Sequence, residues 1–136
     1  MGNGLSPAVQ KLLEERKILR VRRDSALIAK EIAAAKADLK KSKRATIQGY
    51  YAMFHSARAL LYEKGFREKS HHALLVAVRE LYVSEIERSL IQEFEHGMYL
   101  RQEADYGLKF SGRGAQDVID IAEKMLERTK SILKLK

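Results

Sequence analysis

A single proline, Pro7, interrupts this chain, and it stands near the beginning. The eight glycines are also few, and most lie near the N-terminus or in two later stretches. A sheet-rich fold needs a turn every several residues, and this chain has few places to make one. Ala, Leu, Glu, Lys and Arg fill the intervals instead, and these are strong helix formers. The sequence therefore predicts an all-α fold. Its 136 residues suit one domain, large enough to bury a hydrophobic core.

The apolar periodicity divides that fold into helices. Ser6-Pro7 opens the first, with Ser6 as N-cap and Pro7 in the first helical position. It is expected to pass through Leu12 and Leu13 into the basic stretch Arg16–Arg23. Asp24 or Ser25 caps a second helix, where Ile28, Ile32, Ala35 and Leu39 form one apolar stripe. Whether these two are one helix or separate is left open by the pattern. Lys40, Lys41, Lys43 and Arg44 make a charged junction. A third helix spans about Thr46 to Lys64, is apolar over most of its circumference, and is expected at the centre, with Gly65 ending it. Ser70 caps a fourth helix and Ser84 opens a fifth, which ends between Gly97 and Tyr106. A loop with Gly107, Gly112 and Gly114 precedes a last helix patterned by Val118, Ile121, Ala122, Met125, Leu126 and Ile132. No strand of useful length is expected. The architecture read from this is an up-and-down bundle of four to five helices. It forms one domain over 1–136: a basic N-terminal helical extension over 1–24, and the bundle over 25–134.

Charge and composition narrow the function. The net charge of +8 is uneven. Residues 1–44 carry twelve Lys/Arg against five Asp/Glu, whereas the rest of the chain is close to neutral. A basic N-terminal third fits a polyanion such as RNA or DNA, or an acidic protein. The alternative is a solvated lysine-rich face. There is no cysteine, which removes disulfides, thiolate catalysis and Cys-based zinc sites. No apolar run approaches the roughly 20 residues of a membrane span. Glu14, Glu15, Arg16 and Lys17 interrupt any signal-peptide apolar region, so a cytoplasmic location is expected. No P-loop, GxGxxG or zinc spacing occurs, and neither cofactor nor metal is expected. Two Glu-x-x-His pairs, Glu68/His71 and Glu93/His96, have the spacing of carboxylate-bridged di-metal bundles, but the central helix offers no inward carboxylate before Glu63.

Three segments carry a resemblance. Gly49-Tyr50-Tyr51-Ala52-Met53-Phe54-His55-Ser56-Ala57-Arg58-Ala59-Leu60-Leu61 resembles the YYAxFHAARALL helix of HEPN domains. Lys64-Gly65-Phe66-Arg67-Glu68-Lys69-Ser70-His71 resembles that family's loop into its next helix, and Leu100-Arg101-Gln102-Glu103-Ala104-Asp105-Tyr106 resembles its RxxADY element. The resemblance covers about residues 25–134. It implies a helical bundle that usually dimerises and is often encoded beside a minimal nucleotidyltransferase. Many such proteins are toxins or defence factors that cleave RNA without a metal, through an Arg and a following His separated by four to six residues, late in the chain. This chain departs from that signature, because its last histidine is His96, before Arg101.

Two groups of candidate residues follow. Metal-free RNA cleavage needs a proton-transfer group near neutral pH and a cation to stabilise the phosphorane, roles that His and Arg suit. Arg67, His71 and His72 are the catalytic candidates, since Arg67 to His72 is the one forward Arg…His match. The alternative is that His71 caps or packs at the helix start. The second group lies on the third helix, where Tyr51, His55, Arg58 and Tyr62 share one face. Such a polar stripe either bonds internally, to groups such as Arg101, Asp105 and Tyr106, or lines a cleft or dimer seam. In the second case Tyr51, His55, Arg58, Arg101, Asp105 and Tyr106 would bind nucleotide or RNA phosphate. Three functions stay open: a partner of a minimal nucleotidyltransferase in a toxin–antitoxin-like or defence pair, with nucleotide or RNA as ligand; a metal-independent endoribonuclease; and a purely structural dimerisation module. A homodimer is expected in each.

Overall fold

The computed structural model describes residues 4–41, 46–105 and 112–135. Helix α1 (Pro7–Glu14) starts as its sequence requires: the Ser6 side chain accepts from the Val9 N–H at 3.3 Å, and Pro7 takes the first position. It ends earlier than periodicity suggests. Arg16 turns into the left-handed region at φ 57°, the Arg16 N–H reaches the Leu13 carbonyl, and the Lys17 N–H reaches that of Leu12. That pair of bonds satisfies the last carbonyls and stops the helix. The basic stretch continues as strand β1 (Ile18–Arg20) rather than as helix.

Helix α2 (Ser25–Lys41) is capped by Asp24, whose carboxylate accepts from the Ala26 N–H at 2.9 Å. Helix α3 (Thr46–Glu63) follows. Lys43 and Arg44 of the charged junction lie outside the described residues. Gly65, at φ 82°, closes α3; a Cβ there would lie 3.1 Å from the Val21 carbonyl oxygen. Glycine alone meets that backbone and that approach without strain. Strand β2 (Phe66–Glu68) comes next and pairs antiparallel with β1, with Ile18 opposite Glu68, Leu19 opposite Arg67 and Arg20 opposite Phe66. The ribbon is short, in keeping with the expectation that no strand of useful length forms. Its two strands are three residues each and far apart in sequence, so neither shows a readable alternation alone.

Helix α4 (His71–Leu81) is capped by the Ser70 hydroxyl, which accepts from the Ala73 N–H at 3.1 Å. Helix α5 (Arg88–Asp105) begins four residues beyond Ser84, because the Glu85 and Ile86 N–H groups first fold back on the Tyr82 carbonyl as a turn. Helix α6 (Gly112–Leu133) includes Gly112 and Gly114, which periodicity had left in a loop; Gly107 lies outside the described residues.

The result is an all-α bundle with a small ribbon at one side. Helix α3 is central and touches α2, α4, α5, α6 and β2. Its apolar girth explains the position: Ala52, Met53, Ala57, Leu60 and Leu61 are fully buried. A Cβ at Gly49 would lie 3.3 Å from a Val118 methyl, so glycine sets the close approach of α3 and α6. Val9 and Leu12 of α1 and Ile18 of β1 join the same core. No helix among the described residues is long and apolar enough to cross a membrane.

Candidate functional site

The polar face of α3 meets carboxylates from two other elements. His55 stands opposite α2, with its Nδ1 2.5 Å from Glu31 Oε2 and its Nε2 3.3 Å from Asp38 Oδ2. Glu31 and Asp38 are seven residues apart, two turns on one face of α2 and roughly 10 Å along its axis. Ionised carboxylates only accept, so both bonds form together only when the ring carries both N–H protons. All three side chains are largely covered.

One turn further along α3, Arg58 turns to β2. Its Nε and one terminal nitrogen donate to Glu68 Oε2 at 2.8 and 2.6 Å. Alternation places Glu68 on the inner side of the ribbon with Phe66, and the Glu68 side chain is only 4% exposed. Its second oxygen, Oε1, is buried and has no hydrogen-bond partner among the described residues. Burial opposes the charge on Arg58, but the Glu68 hydrogen bond and charge, with Glu31 and Tyr62 adding to them, hold its pKa above the ordinary value. Tyr62, the last member of the stripe, is buried with Ile28, Ile32 and Leu126, whereas Tyr51 at the other end is partly exposed.

The stripe is thus not one uniform surface. His55 is engaged by Glu31 and Asp38, and Arg58 by Glu68. Arg101 and Asp105 lie in the last turns of α5, but their side chains, and all of Tyr106, fall outside the described residues. Sequence reading passed over Glu31 and Asp38. Their i, i+7 spacing beside the apolar stripe of α2 was the available signal.

Arg67, His71 and His72 occupy one short stretch of the surface. Arg67 is the exposed middle residue of β2, and the two histidines are the first residues of α4. His71 Nδ1 lies 3.0 Å from the Tyr50 hydroxyl, and its ring packs on Phe54 with centroids 4.2 Å apart. Phe54 in turn meets Tyr50 and Phe94. His71 therefore ties the start of α4 to the aromatic cluster of α3, while His72 faces outward.

A helical bundle built around an aromatic central helix, with a Lys-Gly turn leading to a capped fourth helix, defines the class. The HEPN domain model matches residues 23–135, and the chain belongs to the HEPN family. It is similar to a Methanocaldococcus jannaschii protein named "putative toxin", with 36% identity over 96 residues, 66% of this chain and 69% of that one. No solved structure matches the chain significantly.

Proposed function

We propose that this chain is the HEPN member of a toxin–antitoxin-like pair and acts by binding a minimal nucleotidyltransferase, as a homodimer and without ribonuclease chemistry of its own. The observation that carries this reading is the engagement of the basic side chains on α3. His55 faces two carboxylates and Arg58 is bonded to a buried one, so both are taken up by the protein's own acids rather than turned toward a phosphate. The similarity to a protein named as a toxin supports the toxin-like role. The absence of any histidine after Arg101 supports the lack of cleavage.

Two measurements test it. The chain is co-expressed with a minimal nucleotidyltransferase encoded beside it, and the purified mixture is sized; a stable mixed complex is expected, and separate species overturn the pairing. RNA is then incubated with the protein in EDTA. No cleavage is expected. Cleavage that disappears in a folded His71→Ala or His72→Ala variant would establish the Arg67–His71–His72 stretch as a ribonuclease centre.

A further inference from the structure

Several cations away from the ribbon are matched, although Lys30, Lys40, Arg88 and Lys134 are exposed without an ion pair among the described residues. On α5 and α6, Lys124 bonds to Glu93, Arg128 to Glu87 and Lys130 to Glu127. The ribbon and its flanks differ. Arg16, Arg20, Arg22, Lys64, Arg67 and Lys69 are all exposed, and none has an ion pair among the described residues. The acidic groups around them are already engaged: Glu15 with Lys17, Glu63 with Arg23, Glu68 with Arg58, and Glu80 with Arg79. Two of the six are held by rings rather than carboxylates, the Arg20 guanidinium 5.4 Å from the centroid of Phe66 and the Lys64 ammonium 5.2 Å from that of Tyr82. A ring face positions a cation without neutralising it, and a stacked guanidinium keeps its in-plane N–H donors.

Pairing brings these charges together. The register sets Arg20 opposite Phe66 and Arg67 opposite Leu19, and the Lys69 N–H bonds to the Lys17 carbonyl, so Arg20, Arg67 and Lys69 gather on one short ribbon. Same-face positions on a strand are roughly 6.5 Å apart, a spacing that successive phosphates of an extended strand can follow. The one exposed apolar residue on the strands is Leu19, at 37%. Protein partners need an apolar centre depleted of charge, which this face lacks, whereas a phosphate backbone needs only cations. We infer that the β1–β2 ribbon is a docking surface for the phosphate backbone of nucleic acid, bound without base recognition. Three of the six cations precede residue 23, where the family match begins. The inference rests on this charge map and is independent of the nucleotidyltransferase pairing.

The test is fluorescence anisotropy of the full chain with labelled oligouridylate, and with a DNA duplex, across a salt series. Six neutralised phosphates on a single strand give a log–log salt slope of about −4, so raising salt fourfold weakens binding by roughly 300-fold. Arg67→Gln with Lys69→Gln should flatten the slope by about 1.4. Lys124→Gln with Arg128→Gln, whose cations are paired with Glu93 and Glu87 on the α5–α6 face, should leave it unchanged. Circular dichroism identifies any variant that fails to fold, and then Arg16→Gln with Arg22→Gln replaces the ribbon pair. Binding that is absent at low salt, or equally weakened by both pairs, overturns the inference. So does competition by polyglutamate as effective as that by unlabelled oligouridylate, which would assign the face to an acidic protein.

Discussion

The seam between α2, α3 and β2 and the β1–β2 ribbon lie within a few residues of each other, yet they treat basic side chains in opposite ways. In the seam, His55 and Arg58 each face carboxylates under cover. On the ribbon and its flanks, six exposed cations meet none among the described residues. The two regions even share a strand, because alternation sends Glu68 inward to Arg58 and Arg67 outward. Burial makes the difference. A covered charge costs several kcal/mol unless it is paired, whereas a solvated one costs little and stays available. A pattern of cations says nothing of use until each is known to be in one situation or the other.

The comparison predicts a graded set of effects. Removing the guanidinium in Arg58→Ala leaves Glu68 charged and buried, and should destabilise the fold by about 3–5 kcal/mol in urea unfolding. A loss below about 1 kcal/mol would mean that the seam is solvated like the ribbon. His55→Ala deprives Glu31 and Asp38 of a shared donor and should cost about 1–3 kcal/mol. His55→Gln, which keeps one donor group, should recover part of it.

Tyr82 gives a pH-dependent version of the same contrast. Its hydroxyl donates to the Leu60 carbonyl at 2.6 Å, and burial, with Glu63 and Glu85 nearby, raises its pKa well above the ordinary value of about 10. The neutral phenol is therefore favoured in the folded state. Its contribution is complete below pH 10 and is lost progressively as pH rises toward the folded-state value. Tyr82→Phe should cost about 1 kcal/mol at neutral pH and reduce the decline in stability above pH 10. A variant that declines as steeply as the parent would place the alkaline loss elsewhere. The smallest effect is expected on the ribbon. Arg67→Ala should change stability by less than about 0.5 kcal/mol. A loss as large as that of His55→Ala would show a hidden partner and erase the distinction between the two regions.

Much of the bundle could be read from local chemistry. Ser6, Asp24 and Ser70 cap helices where their side chains can accept from the first turn, and Gly65 ends α3 because that position has a positive φ. The apolar girth of α3 placed it at the centre, and the Gly49–Leu61 segment carried the family resemblance. These features depend on residues within a turn or two of each other, so the sequence contains them in full. The ribbon does not work that way. Ile18 and Glu68 are fifty residues apart, and their pairing depends on α1 stopping at Glu14 and on α3 returning the chain beside it. The partners of His55 and Arg58 were likewise decided by packing. The i, i+4, i+7 spacing put His55 and Arg58 on one side of α3, but only the approach of α2 and β2 determined that Glu31, Asp38 and Glu68 would meet them. Periodicity specifies which face of an element turns inward; which charged group waits there is set by the element packed against it.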